Sequence, residues 1–141
     1  MREHDRRECE AFGRSPKNAL RISLRTSFHA LTATDEQGAV LAMFGVMAMD
    51  ILGRTGSPWF LGTDRVFDYA RDLMERGPRI IAWWQQDFDV MENIVSVENR
   101  KAIRLLEKWG AQIGTRTQVH GGVEFVPFSF SAAIQESRAA A

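Results

Sequence analysis

At 141 residues the chain is long enough to bury one core and too short for two comfortable domains. Hydrophobic residues make up 45% and charged residues 26%, which is ordinary globular composition, and 18 basic residues balance 18 acidic ones. That neutrality excludes a global pull toward nucleic acid or an anionic membrane, and no run of about eighteen apolar residues offers a membrane span.

Residues 1–12 form a thin helix candidate with an apolar edge of Met1, Cys9 and Phe12, closed by Gly13. Ser15 then caps a second helix, with Pro16 at the first helical position, where its missing N–H costs nothing. Residues 19–27 also alternate as a strand would, but the Ser-Pro start favours helix. Residues 28–34 and 39–49 read as an antiparallel hairpin about a turn at 35–38. Residues 50–58 contain Gly53, Gly56 and Pro58 and read as a loop, followed by a short buried strand at 59–61. Thr63 or Asp64 caps the next helix, which carries Val66, Ala70 and Leu73 on one face. Gly77 closes it, and Pro78 opens another with Ile80, Trp84, Phe88 and Met91 as its stripe.

Residues 94–97 form an apolar strand that leads into the most regular helix of the chain. There Ala102, Leu105, Leu106 and Trp109 share one face and Arg100, Lys101, Arg104, Glu107 and Lys108 the other. Asn99 is placed to cap this helix and Gly110 to end it. Residues 112–120 and 123–130 flank Gly121-Gly122, a pair suited to a type I′ turn, with a bulge or edge position expected at Pro127. Residues 1–133 make a single α+β domain with a largely antiparallel sheet, and residues 134–141 a disordered tail.

The spacing of Asn99, Ala102, Leu105, Glu107, Lys108 and Gly110 resembles the strand-to-helix segment with which GNAT acetyltransferases grip acyl-coenzyme A. The resemblance implies a GNAT-like (acyl-CoA N-acyltransferase) fold, a mixed, mostly antiparallel sheet flanked by helices. The polar stretch 1–10 leaves no room for the usual first strand, so a sheet edge is left for another element, or for another subunit in a homodimer, to cover. Residues 1–8, 42–46, 58–64 and 92–111 further resemble acetyltransferase-like proteins of short-tailed bacteriophages, some of them internal virion proteins.

On that resemblance the cofactor is acetyl-CoA, gripped by two splayed strands through Phe60, Leu61, Gly62, Val95 and Val97. Asn99 matches the family asparagine that contacts the pantetheine arm, a role compatible with helix capping. A degraded pyrophosphate cradle is expected at Arg76, Gly77 and Arg79, where Pro78 removes one N–H donor; a plain helix stop and restart explains the same residues. The loop 52–57 is a rival phosphate site. The tyrosine that protonates the leaving thiolate in many relatives is here Leu106, and the single tyrosine, Tyr69, precedes it on another helix. Asp64, Glu92 and Glu98 are the candidate bases. His4, His29 and His120 have no partner at a telling spacing, and no metal motif is present.

Three functions compete. One is an N-acetyltransferase acting on an amine. A second is a GNAT-shaped phage protein without turnover, a virion component or a binder of a host protein, for which Trp83, off the buried stripe, offers an anchor. Nucleic-acid binding is third and disfavoured by the neutral charge. One cysteine and no secretion signal fit the host cytoplasm or the virion.

Overall fold

The computed structural model describes residues 1–132, and the expected tail at 134–141 lies outside the described residues. In chain order the elements are α1 (Glu3–Ala11), α2 (Pro16–Thr26), β1 (Ser27–Thr34), β2 (Val40–Asp50) and β3 (Thr55–Gly62). A 3-10 turn (Val66–Tyr69) leads into α3 (Ala70–Trp84), β4 (Val90–Ser96) and α4 (Arg100–Lys108). Then come β5 (Gln112–Ile113), β6 (Gln118–His120) and β7 (Val123–Ser131).

The strands form one sheet in the order β1-β2-β3-β4-β7-β5, with β6 also on β7. Every pairing is antiparallel except that of β3 with β4. The α+β expectation holds, and the described chain opens on helix, leaving β1 with β2 as its one strand neighbour. The core forms where α3 meets the sheet: Val46, Ile81, Trp84, Phe88, Met91, Val95 and Phe130 are buried together. Ser15 caps α2 as its chemistry dictates, its hydroxyl accepting from the Asn18 N–H at 3.3 Å. Gly121 and Gly122 take φ of 55° and 78°, the left-handed pair that a type I′ turn needs.

Several local expectations fail, each for a physical reason. Residues 55–58 are strand, so Pro58 sits inside β3. Its carbonyl accepts from Asn93 Nδ2 at 2.8 Å, which turns its polar edge toward β4, where the two strands have already parted. A residue with an N–H there would hold a donor with no strand partner. Pro127 produces no bulge: β7 runs in unbroken register along β4, and proline stands where the short β5 has ended.

Gly77 and Pro78 do not break the helix, because α3 runs through both. Gly77 is there for packing, since a Cβ on it would fall 2.1 Å from Trp109 Cε2 and Nε1. Neither Thr63 nor Asp64 caps α3, whose N-cap is Tyr69 without a side-chain bond. Thr63 instead donates its hydroxyl to the Leu41 carbonyl at 2.9 Å. Phe88 and Met91 are buried as expected, but Phe88 lies in the turn after α3 and Met91 on β4, which begins four residues earlier than read.

Candidate active site between β3 and β4

The two parallel strands pair only at their beginnings, Thr55 with Val90 and Gly56 with Met91. Beyond that point they part. The Asn93 side chain spans the gap, donating to the Pro58 carbonyl and accepting from the Ile94 N–H, each at 2.8 Å. A cavity of about 1110 Å³ runs along the parting, walled by Phe60, Asn93, Ile94, Tyr69, Trp84 and Leu106, among others. Trp84 is 3% exposed, and its buried Nε1–H has no partner among the described residues. An orphaned donor of this kind costs about 1–3 kcal/mol, which an acceptor brought by a ligand would recover.

Backbone direction alternates along a strand, so only every second residue turns its N–H and C=O into the gap. On β3 these are Pro58, Phe60 and Gly62; on β4 they are Ile94 and Ser96. Of the five expected backbone contacts, Phe60 and Gly62 face the cleft, whereas Leu61 turns toward β2 opposite Met43. Val95 and Val97 turn toward β7, the Val97 N–H reaching the Glu124 carbonyl at 3.0 Å. Val95 still contributes its side chain to the cavity wall.

The cradle expected at 76–79 is not a loop. Arg76 and Gly77 sit on the cavity-facing stripe of α3, with Tyr69, Leu73, Ile80 and Trp84, while Arg79 points to solvent. Phosphate at the start of α3 would meet Asp68 and Asp72, whose charges offset the helix dipole there. The rival loop at 52–57 is spoken for as well. The Gly53 N–H is bonded to Asp50, and Arg54 to Asp89 and the Gln86 carbonyl. None of the three candidate bases lines the cavity, since Asp64, Glu92 and Glu98 are all exposed. Leu106 is a cavity residue, and Tyr69 faces the cavity from the other wall.

Two carboxylates of α1 reach the end of the cleft. The Arg2 N–H donates to the Gly62 carbonyl at 2.7 Å, and Asp5 Oδ2 accepts from the Gly62 N–H at 2.8 Å. Glu8 Oε1 accepts from the Ser96 N–H at 3.1 Å and from Asn99 Nδ2 at 3.2 Å. Asn99 Oδ1 in turn accepts from the Arg2 guanidinium at 3.1 Å, and that guanidinium also meets Asp5 at 3.2 Å and lies 4.5 Å from the centre of the Phe67 ring. Asn99 therefore does not cap α4 with its side chain; it joins α1 to the cleft while 2% exposed.

Arg2, Asp5 and Glu8 are the cleft residues that sequence reasoning missed. Their signal is spacing: Arg2, at the N-cap of α1, is followed at three-residue intervals by Asp5 and Glu8, so the inward stripe there is charged.

Burial raises the carboxyl pKa of both Asp5 and Glu8. It outweighs the Gly62 N–H and the Arg2 charge at Asp5, and the Asn99 amide and Ser96 N–H at Glu8. The folded state thus holds these protons more tightly than the unfolded chain. Their contribution to stability is complete below the ordinary carboxylate pKa and is lost as pH rises through the raised values. Denaturant midpoints measured from about pH 4 to pH 7 will show this loss, and Asp5→Asn with Glu8→Gln will flatten it. A slope unchanged in the double variant would refute the assignment. Burial also raises the Cys9 thiol pKa, with the charges of Asp5, Glu8 and Glu10 adding to it.

This sheet, with parallel strands that meet and then part beside a capping helix pair, is the GNAT fold. No family model and no curated protein matches the sequence. Among solved structures the chain resembles a spermidine N-acetyltransferase from Vibrio cholerae in complex with CoA and spermine. That match has a TM-score of 0.66 at 11% identity and covers 92% of this chain and 86% of that one. A point mutant of the Vibrio cholerae spermidine N-acetyltransferase matches with a TM-score of 0.64 at 14% identity, over 78% of this chain and 69% of that one. Among the described residues no helix is long and apolar enough to cross a membrane, and no group of three or more His, Cys, Asp or Glu is placed to hold a metal.

Proposed function

We propose that the chain binds acetyl-CoA in the cleft between β3 and β4 and transfers its acetyl group to an amine. The observation that carries this reading is the two-position pairing of the strands, which leaves the backbone of Phe60 and Ile94 beside a cavity large enough for a thioester arm. The orphaned Trp84 N–H fits a ligand rich in carbonyls. In the transfer, the amine nitrogen attacks the thioester carbonyl and the carbon–sulfur bond breaks. The amine loses its proton to water, and the thiolate leaves as free coenzyme A. An amine acceptor matches the carboxylates of Asp35 and Glu36 along the cavity wall, and the solved neighbours act on or bind polyamines.

Calorimetry with acetyl-CoA, followed by mass spectrometry of spermidine incubated with both, tests the reading. Arg76, on the cavity wall and exposed, is the cation best placed for the coenzyme phosphates, so Arg76→Ala will weaken acetyl-CoA binding about tenfold. An absence of heat at millimolar acetyl-CoA would end the proposal.

A second reading is favoured by Leu106, which stands on the cavity wall where the family tyrosine is expected and exchanges no proton. On it the chain is a GNAT-shaped phage protein without turnover, a virion component or a binder of a host protein. Binding of acetyl-CoA without any acetylated amine is the result it requires.

A further inference from the structure

We infer that α1 is an intramolecular occupant of the cleft, so that acetyl-CoA binding and α1 docking exclude each other at the ends of β3 and β4. The inference rests on the reading of the cleft as a thioester site. Where two strands part, their unpaired N–H and C=O groups are what an amide-bearing ligand would bond. At this end of the cleft they are already taken: Arg2 and Asp5 hold both polar groups of Gly62, and Glu8 holds the N–H of Ser96. The Arg2 guanidinium and the Glu8 carboxylate also take up the Asn99 amide. A ligand that reaches these groups has to displace the helix.

The helix is built to be displaced. Its inward stripe is Arg2, Asp5 and Glu8, so docking removes little apolar surface from water and desolvates three charges. A second attachment, apolar in kind, lies at the other end. Phe12 packs 4.8 Å from His120 and 5.4 Å from Phe125, and Gly121 lies so close beneath Ala11 that a Cβ would come 2.6 Å from its carbonyl oxygen. Gly13, at φ 71°, follows directly. The first two turns can leave the cleft while the last stays moored.

The test compares acetyl-CoA binding by the full chain and by its Asp5→Ala, Glu8→Ala variant, and follows amide hydrogen exchange of the full chain with and without saturating acetyl-CoA. The expected results are binding at least about tenfold tighter in the variant, and loss of protection across residues 3–9 when ligand is added to the full chain. Equal or weaker binding by a folded variant, or α1 amides as protected with ligand as without, would overturn the inference and leave the thioester site standing. Binding by neither protein would overturn both. Should the variant fail to fold, the exchange measurement on the unaltered chain decides alone.

Discussion

Replacing Gly77 with alanine will destabilise the protein by about 2–3 kcal/mol, although alanine is by itself the better helix former by about 1 kcal/mol. The new methyl would lie 2.1 Å from Trp109 Cε2 and Nε1 and 2.7 Å from Cδ1. The indole has to move by more than an atomic radius. It is held where it is by its Nε1–H, which donates to the Leu73 carbonyl at 2.9 Å, one turn before Gly77 on the same helix. The bond and the contact between α3 and α4 are lost together, and with them one wall of the cavity. The shift will appear as a lower urea midpoint at unchanged slope. Trp109→Leu will cost stability in the parent yet restore much of it in the Gly77→Ala background, a coupling that two independent sites would not show. A midpoint equal to the parent's would disprove the packing role of Gly77.

Asn99→Ala will cost about 3 kcal/mol or more, well beyond the roughly 1 kcal/mol of a lost helix cap. A cap residue satisfies one backbone donor. Asn99 satisfies two ions, accepting from Arg2 and donating to Glu8 in a place from which water is excluded. Alanine leaves a guanidinium and a carboxylate short of partners in the protein interior. The same variant will lower protection of the α1 amides, which a simple capping loss would leave unchanged. A cost near that of an ordinary cap, with α1 undisturbed, would return Asn99 to the role its position before α4 first implies.

Much of the fold was legible because it is written locally. Ser15 and Pro16 start a helix by their own chemistry, Gly121 and Gly122 can only turn, and the periodicity from Ala102 to Trp109 defines a face. What was misread depended on distant partners. Gly77 and Pro78 look like a stop because local rules say so; α3 continues because Trp109, thirty-two positions later by its number, needs the space a side chain would fill. Asn99 looks like a cap because its true partners lie ninety and more residues back, on α1. The site suffered most for this reason. Asp64, Glu92 and Glu98 lie near the strands that form the cleft and face away from it, whereas Asp5 and Glu8, which reach its end, sit on a helix whose charged sequence reads as a solvated surface. That Leu61, Val95 and Val97 all turn away from the gap is fixed by strand parity, and parity needs a register that one sequence does not supply.

Pro58 has one more implication. If the parting of β3 from β4 were held only by side chains wedged between them, an emptied cleft would be free to anneal into continuous sheet. Pro58 forbids that at the one register where closure would begin, because its ring carries no hydrogen to lend to the neighbouring strand. The opening is thus written into the covalent chain, and it persists whatever enters or leaves it.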